Sequence, residues 1–361
     1  RSPARKPLVE HAFAKDLHSP TIVTAQTALA EVCDRLAKAG RFAFDTEFVG
    51  EDIYQPEICL VQAATDSFCT LIDPLAGLDL APFWNLVADE NLCVIVHAGA
   101  EDLALCWKHL GRPAANVFDL QIGAGLLGLG YPVSLSRLAQ QTIGVKLHKS
   151  QTLTDWRKRP LTPDQIAYAI EDVVHLPAMH RHLAQHLARL NREEWAVEEC
   201  ARACRAVLGT ARGEHRLRRL RGTGSLTSKE LAIAEVLLGE RDLLAREYNR
   251  PARAVLRDHL LIEIARRGWT DVRRIQTLRG INLSASALRR LAEAVERAKQ
   301  IPPEQWPEIA GDEDTADEEV LLAVVTAVLR DHCNRQGISY ALLTGKQDLR
   351  ALVRTYTRSD Q

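Results

Sequence analysis

The sequence has no net charge surplus, no long apolar run and no regular cysteine pattern. Its 361 residues include 46 basic and 47 acidic side chains, so the total charge of −1 gives no sign of a nucleic-acid partner. No apolar run approaches the roughly 18 residues of a membrane span, and no secretory signal is recognisable. The eight cysteines are scattered, and several lie within apolar runs where cysteine behaves as a small hydrophobe. These absences favour a reduced, cytoplasmic protein.

Methionine is nearly absent, because Met179 is the only one. Since the sequence begins at Arg1, we expect its natural start to lie further upstream. The composition, with 46% hydrophobic and 26% charged residues, is that of an ordinary globular protein. It excludes a disordered chain, a collagen and a disulfide-stabilised mini-protein. The length indicates two or three domains of roughly 100–200 residues each.

The neutral total is an average over segments of opposite charge. Residues 1–210 carry 20 basic and 25 acidic side chains, residues 211–300 carry 20 and 11, and residues 301–361 carry 6 and 11. The middle segment therefore has a charge of +9, between two segments of −5 each. Such asymmetry is a hint of nucleic-acid contact, although solvated basic helices are also common.

The first half of the chain alternates strand and helix patterns. Strands are predicted at 41–47, 57–64, 68–72 and 92–97, where residues alternate at period two or form short apolar runs. Helical spacing is found at 100–110, 134–143 and 162–191. This pattern predicts an α/β domain, with a mixed, partly antiparallel sheet and flanking helices.

After about residue 210 the sequence predicts helices alone. They are expected at 228–247, 251–266, 270–278 and 284–299, and Thr227 with Glu230 forms a helix-start pattern. Prolines and an acidic stretch follow, and 319–357 is expected to hold another small helical module. We therefore predict an α/β domain at 1–210, a helical domain at 211–300, and an acidic linker with a second helical module at 301–361.

Four acidic residues and a tyrosine have the spacing of a catalytic group. Asp45 and Glu47 lie on one face of a predicted strand, and Asp102 follows a buried strand near a helix start. Tyr168 and Asp172 are four residues apart on a helix and share a face. Oxygen ligands of this kind select hard cations such as Mg²⁺ or Mn²⁺.

Two such cations about 3.5–4 Å apart perform in-line hydrolysis of phosphodiesters. In that chemistry Tyr168 would mainly orient the attacking water, because a free phenol with a pKa of about 10 is a poor base at pH 7. Each pattern has an ordinary alternative when taken alone. An Asp-x-Glu strand is commonly a solvated face, and Tyr-x-x-x-Asp is commonly a pair on a helix surface. Their combination and order favour the catalytic interpretation.

Longer motifs surround these residues and resemble those of a known family. Residues 44–48 with 54–56 and 59–62 resemble the first exonuclease motif of the DEDD superfamily, 97–103 the second, and 165–173 the third, in its tyrosine subclass. Further stretches at 118–121, 128–131, 135–138 and 155–161 are similar to bacterial ribonuclease D. The resemblance covers about residues 20–300.

This resemblance implies an RNase H-like fold and a 3′→5′ exoribonuclease that acts on structured RNA ends, including transfer-RNA precursors, and releases nucleoside 5′-monophosphates. Carried over by position, Asp45, Glu47, Asp102 and Asp172 would bind two divalent metal ions, Mg²⁺ or Mn²⁺, and Tyr168 would position the water. A monomer is expected.

Substrate contacts are less specific in the sequence. Phe48 and Gln62 are expected to line the pocket of the 3′ nucleotide. Five basic residues before the third motif are candidates for RNA phosphate contacts, with solvated charge as the alternative for each: Lys146, Lys149, Arg157, Lys158 and Arg159. Asp119 also matches a family position, and a structural role is as well supported for it as a substrate role.

Residues 217–300 resemble an HRDC domain, a small helical nucleic-acid-binding fold. The resemblance is carried by Arg241, Arg246, residues 249–251, Val255, Asp258 and residues 278–280. It implies a module that holds RNA downstream of the active site, in agreement with its positive charge. Residues 319–357 would be a second, diverged copy, whose acidic flank argues against direct RNA contact.

Three other interpretations compete with this one. Gly123, Gly125 and Gly128 match a dinucleotide-binding fingerprint, but position 148 is His rather than the required acid, so close helix packing is favoured. A 3′→5′ DNA exonuclease of the same superfamily stays open, since only contacts to the 2′-hydroxyl distinguish RNA. A non-catalytic RNA-binding scaffold is disfavoured by the intact acids.

Overall fold

The structure is a computed structural model, and it describes residues 21–50, 52–147, 154–211, 216–307 and 314–359. Predicted contacts of Lys149 therefore lie outside the described residues. No helix within these ranges is long and apolar enough to cross a membrane.

A six-stranded mixed sheet forms the centre of the first half of the chain. Its strands are β1 (Thr21–Val23), β2 (Arg41–Val49), β3 (Glu57–Ala64), β4 (Cys69–Ile72), β5 (Cys93–Val96) and β6 (Val117–Asp119). They lie in the order β1-β4-β3-β2-β5-β6. The β3–β4 pair is antiparallel, whereas β1–β4, β2–β5 and β5–β6 are parallel.

Helices follow the strands and then make up the rest of the chain. Those of the first half are α1 (Gln26–Ala39), α2 (Ala81–Val87), α3 (Ala100–Leu110), α4 (Leu120–Leu126), α5 (Leu135–Thr142), α6 (Pro163–Val174), α7 (Leu176–Arg189) and α8 (Glu193–Ala211). Those that follow are α9 (Arg216–Arg219), α10 (Ser228–Glu247), α11 (Ala252–Val255), α12 (Asp258–Arg267), α13 (Val272–Gln276), α14 (Ala285–Lys299), α15 (Ala316–Gln336), α16 (Tyr340–Leu343) and α17 (Lys346–Ser359).

Local sequence explains where the principal helices begin. A capping box starts α6, because the Thr162 hydroxyl accepts from the backbone N–H of Gln165 and the Gln165 amide accepts from that of Thr162. Thr227 and Glu230 start α10 in the same way, as the sequence predicts. Because the first N–H groups of a helix have no partner within it, these side chains fix both helix starts.

The two faces of the sheet pack against different partners. Phe42 and Phe44 of β2 contact Phe83 and Trp84 of α2 in edge-to-face geometry, with ring centroids 5.6–6.2 Å apart in three of these pairs. The opposite face, which includes Ala43, packs against α6 and α7 in a second buried cluster. Alternation along β2 therefore separates an aromatic layer from the layer that contains α6.

The described chain divides into two compact units. One comprises the described residues within 1–47, 59–204 and 332–343, and the other comprises those within 48–58, 205–331 and 344–361. The core of the second unit is formed largely by leucine, isoleucine and alanine side chains of α10, α12 and α14. The domain boundaries predicted at residues 210 and 300 stay a prediction, since this grouping follows contacts rather than chain order.

The predicted fold class is confirmed, and the differences are local. The predicted helix at 162–191 is two helices that meet at His175, where Pro177 lies in the first turn of α7. The predicted helix at 251–266 is likewise divided, because Leu256 is extended between α11 and α12. The sequence interpretation omitted β1 and β6, which are three residues each and too short to show a period.

The glycines of the apparent dinucleotide motif allow close packing of chain segments. A Cβ at Gly123 would lie 2.9 Å from the Phe118 ring, and one at Gly125 would lie 2.8 Å from the Leu342 side chain. At Gly128, where φ is +67°, a Cβ would lie 2.7 Å from the carbonyl oxygen of Gly337. The predicted role of these glycines in close packing is confirmed.

Segment 332–343, which packs on these glycines within the first unit, is also held by a buried arginine. Arg192 donates to the carbonyl of Leu126 at 2.6 Å and to those of Gln336 and Gly337 at 2.5 and 3.4 Å. The Ser339 N–H donates to the Gly125 carbonyl at 2.8 Å. These bonds satisfy backbone groups that would otherwise be buried without partners.

The close approach at Gly128 predicts a local effect of a single methyl group. We expect Gly128→Ala to raise hydrogen exchange across residues 332–343, because the new Cβ would displace Gly337. Gly40→Ala is the matched control, since Gly40 has a φ of +70° and a Cβ added there would have no neighbouring atom within 4 Å. In both variants the alanine must adopt a left-handed backbone conformation, which destabilises the fold by roughly 1–2 kcal/mol. Equal protection of 332–343 in both variants would contradict the packing role.

Candidate active site

The strand β2 places Asp45 and Glu47 on the sheet face that packs against α6. Ala43 lies two residues before Asp45 and belongs to the buried cluster that contains Ile170 and Val173 of α6. Because strand side chains alternate, Ala43, Asp45 and Glu47 share that face. Both carboxylates therefore project toward the helix that carries the third motif.

Strand pairing brings Asp102 to the same end of the sheet. β5 runs parallel to β2, with Ile95 opposite Ala43, so the chain leaves β5 beside Asp45. It then enters α3, whose third residue is Asp102. The Asp102 side chain is buried, and the Thr46 hydroxyl donates a hydrogen bond to its Oδ1. Thr46 points away from Asp45 and Glu47 along the strand, and this bond fixes the Asp102 carboxylate.

The turn before α3 is held by Asp119. Its Oδ1 accepts hydrogen bonds from the N–H of Ala98 at 3.0 Å and from that of Gln121 at 2.8 Å. Ala98 has a positive φ of 57°, which is unfavourable for alanine and needs such support. These bonds favour the structural interpretation of Asp119, which shapes the turn that leads to Asp102.

Helix α6 supplies Tyr168 and Asp172, which lie one helical turn apart. The Tyr168 hydroxyl and the Asp172 carboxylate are close enough to influence each other's pKa. The Tyr168 ring also lies 6.1 Å from the Trp156 ring, between centroids. Spacing of four residues therefore places the two side chains together, as the sequence predicts.

The acids are close enough for Asp102 and Asp172 to raise the pKa values of Asp45 and Glu47. Burial and then the charges of Asp102, Asp172 and Glu47 raise the pKa of Asp45 well above its ordinary value. Burial and then Asp172 and Asp102 raise the pKa of Glu47 to about 8. Like charges in a desolvated site disfavour ionisation, so the metal-free site retains protons.

The other three groups shift in the same direction. Burial raises the pKa of Asp102, although its bond from Thr46 opposes the shift. Burial raises the pKa of Asp172 to about 7, and the nearby Tyr168 hydroxyl opposes this shift. Burial and the charges of Asp172 and Glu47 raise the pKa of Tyr168. The phenol therefore keeps its proton at neutral pH.

These residues offer only oxygen atoms as ligands, and oxygen is the ligand type that Mg²⁺ and Mn²⁺ prefer. Among the described residues, the structure has no group of three or more His, Cys, Asp or Glu side chains arranged to hold a metal ion. The four carboxylates thus interact electrostatically without forming a closed ligand cluster. Their mutual repulsion is the kind that a bound divalent cation relieves.

The two residues predicted to line the nucleotide pocket have different environments. Phe48 follows Glu47 directly in β2 and is half-buried. Gln62 is fully buried on β3, and neither atom of its amide has a hydrogen-bond partner among the described residues. Gln62 lies two residues before Ala64, so it shares the sheet face that packs against α6. Their roles toward substrate stay predictions.

The predicted phosphate contact by Arg159 requires correction. Its guanidinium forms a bidentate pair with Asp73, at 2.6 and 2.7 Å. Its remaining donors bond to the carbonyls of Cys59, Trp156 and Lys158, at 2.7–2.8 Å. All five N–H donors are therefore used within the protein, and none is left for RNA. Arg159 instead ties the segment before α6 to the strands.

Sequence reasoning missed residues that fix the position of the candidate site. Thr46 lies between Asp45 and Glu47, where alternation alone places it on the far face of the strand. Only the position of α3 shows that it reaches Asp102. Asp73 likewise gave no signal, because its partner Arg159 is 86 residues away in sequence.

Two family models match the chain. The model of 3′-5′ exonucleases matches residues 20–188, which include all five residues of the site. The model of the HRDC domain matches residues 230–295, within the basic helical segment.

Curated relatives and solved structures agree with these matches. The chain is 34% identical over 292 residues to ribonuclease D of Zymomonas mobilis, covering 80% of this chain and 75% of that protein. It is 30% identical over 347 residues to ribonuclease D of Jannaschia sp., covering 94% and 90%. The crystal structure of Escherichia coli RNase D, an exoribonuclease involved in structured RNA processing, superimposes with a TM-score of 0.81 and 26% identity over 94% of this chain and 91% of that one. The chain therefore belongs to the ribonuclease D family and is a hydrolytic 3′→5′ exoribonuclease.

Proposed function

We propose that this exoribonuclease trims the 3′ ends of structured RNAs, including transfer-RNA precursors, by two-metal-ion hydrolysis that releases nucleoside 5′-monophosphates. The observation that carries the proposal is a group of four carboxylates close enough to influence one another, with a tyrosine hydroxyl beside one of them. Carboxylates so arranged are suited to hold cations that neutralise them and act on a phosphodiester.

Asp45, Glu47, Asp102 and Asp172 would hold two Mg²⁺ or Mn²⁺ ions. When bound, the ions would lower the pKa of the attacking water and stabilise charge on the leaving 3′-oxygen. The carboxylates would draw together as their repulsion is relieved. Thr46 would keep Asp102 oriented during this change, since its hydroxyl holds one carboxylate oxygen and leaves the other available.

Tyr168 would orient the attacking water. Its raised pKa keeps the phenol protonated, so it acts through a hydrogen bond rather than as a strong base. The nearby ring of Trp156 would limit the positions open to the phenol. A fixed orientation lowers the entropic part of the barrier.

Structured RNA is the proposed substrate class for two reasons. The similar Escherichia coli enzyme is an exoribonuclease involved in structured RNA processing. The +9 charge of residues 211–300 also provides an electrostatic surface for phosphates, which supplies affinity more than specificity. A DNA exonuclease activity is the competing function, because the acids alone do not recognise a 2′-hydroxyl.

A substrate panel tests the proposal together with the site residues. We expect the wild-type chain with Mg²⁺ or Mn²⁺ to shorten a 3′-tailed transfer RNA in a time course, with slower action on single-stranded DNA and none with chelator. Asp45→Asn and Asp172→Asn should each reduce turnover by at least a thousandfold while RNA affinity is retained, because each removes a cation ligand. Arg137→Gln, a change at an exposed position of α5, serves as the control. Wild-type turnover in either Asn variant would exclude the metal assignment, and preferred cleavage of DNA would exclude the substrate assignment.

Removal of one hydroxyl tests the role of Tyr168. We expect Tyr168→Phe to lower kcat by about 10²–10⁴-fold, the range for loss of a proton-transfer or orienting group, with KM nearly unchanged. The Mg²⁺ concentration for half-maximal activity should stay constant, because the phenylalanine leaves all four acids in place. An unchanged kcat would show that the hydroxyl does not orient the water.

The raised pKa values predict how metal binding depends on pH. Glu47, with a pKa of about 8, and Asp172, with a pKa of about 7, keep protons in the folded metal-free site that they lose in the unfolded chain above about pH 4. Their folded-state protonation stabilises the metal-free protein at low pH, and this stabilisation is lost as pH rises through 7 to 8.

Added Mg²⁺ should therefore raise the Tm more at pH 8.5 than at pH 6, since deprotonated carboxylates bind it without proton release. Thermal unfolding with Mg²⁺ or chelator at the two pH values measures this. In Asp172→Asn the difference should shrink. A Tm increase of the same size at both pH values would contradict the assigned protonation.

A further inference from the structure

A cavity in the second unit combines four arginines with two aspartates. It encloses about 170 Å³ beside the helix α10, and all its lining residues belong to that unit. The charged residues of its wall are Arg216, Arg219, Arg241, Asp242, Arg253 and Asp258. Apolar side chains of Leu220, Leu238 and Ala252 complete the wall. The lining therefore has an excess of two positive charges.

The deepest of these arginines has unused donors. Arg241 is only 8% exposed. Its Nη1 donates to the Leu256 carbonyl at 3.1 Å and to Asp258 at 2.7 Å. Its Nε and Nη2 have no hydrogen-bond partner among the described residues. Both nitrogens reach solvent, so they are available to an acceptor that enters the cavity.

The neighbouring acids do not supply that acceptor. Asp258 is shared by Arg241 and Arg253, the latter at 3.1 Å. Asp242 lies 3.6 Å from Arg216 and 3.2 Å from Arg246. It also accepts a hydrogen bond from the Tyr54 hydroxyl at 2.8 Å. Both aspartates are thus occupied by more than one donor. A purely structural pair between Arg241 and Asp258 would not require the three further arginines.

We propose that this cavity binds a single phosphate group. Guanidinium groups suit phosphate because they donate two parallel hydrogen bonds to its oxygens. The volume is below the roughly 300 Å³ of the smallest ligand pockets, so it admits a phosphate group rather than a whole nucleotide. The group is either a phosphodiester of bound RNA or the phosphate of a released nucleoside 5′-monophosphate. The first source deepens the proposed RNA binding and rests on it, whereas phosphate binding as such does not.

Arg216 and Arg253 are the residues to change, because their side chains are 36% and 67% exposed and the pair of Arg241 with Asp258 survives their loss. The test variant is Arg216→Gln with Arg253→Gln in the full chain. The control is Arg266→Gln with Arg289→Gln, which removes two arginines of the same unit that do not line the cavity. Circular dichroism verifies that both variants are folded.

Thermal unfolding in the presence of chelator measures phosphate binding without hydrolysis. We expect inorganic phosphate, compared with chloride at equal ionic strength, to raise the Tm of the wild type and of the control variant. The test variant should lose this increase. The same increase in all three proteins, or no increase in the wild type, would overturn the proposal. Because the chelator removes divalent cations, these results do not depend on the proposed catalytic mechanism.

A second arm identifies the source of the phosphate. Anisotropy of a labelled single-stranded RNA is followed against salt in chelator, for the test and control variants. A slope of log affinity against log salt that is shallower by about 0.7 in the test variant than in the control corresponds to one lost RNA phosphate contact. Equal slopes, with the loss of the Tm increase, assign the cavity to the free monophosphate. Either slope result is compatible with a phosphate site in the cavity. The proposal is overturned only if phosphate raises the Tm of all three proteins equally or does not raise that of the wild type.

Discussion

The repulsion among four carboxylates is the constraint on which the rest of the exonuclease site depends. Burial disfavours the charge of each acid, and the neighbouring acids further disfavour the charges of Asp45 and Glu47, so the site carries unfavourable electrostatic energy. In the proposed function, bound cations would relieve it. Only a rigid frame keeps such groups together. The frame consists of the parallel β2–β5 pair, the Thr46 bond to Asp102 and the turn that Asp119 supports. The same repulsion that destabilises the metal-free protein at high pH would provide its affinity for cations.

Arginine side chains that bond to backbone carbonyls recur in this chain and have a common physical role. A guanidinium offers five donors in a fixed plane, so it can satisfy several carbonyls where irregular segments meet. Arg159 and Arg192 use this property to hold a loop and the segment 332–343. Arg241 differs because its plane is only partly satisfied and it lines a cavity. Arginines whose N–H donors are all bonded within the protein have structural positions. Arg241, which keeps donors without a partner in the described part of the chain, has a candidate binding position.

The charge distribution matches this division of tasks. Acidic residues in the first segment converge on the site, whereas the middle segment has its arginines on helices and in one cavity. In the proposed function, the phosphate backbone of RNA meets the positive charge of the helices, and the scissile phosphodiester meets cations held by the acids. Affinity and chemistry would thus be supplied by different residues of the same neutral chain.

The sequence by itself determined the fold class, the strand β2 and the helix α6, because alternation and four-residue spacing are local properties. Its motifs also predict the five site residues, whose roles stay a prediction. It also determined that the glycines of α4 serve packing. It did not determine that Thr46 fixes Asp102, that Asp73 neutralises Arg159, or that Gly128 faces Gly337, since these partners are 56 to more than 200 residues apart. The assignment of Arg159 to phosphate failed for this reason. The sequence identifies an arginine but does not show whether its hydrogen-bond donors are already used within the protein. Only the tertiary structure shows which donors are used, because hydrogen bonds between distant segments exist only after the chain has folded.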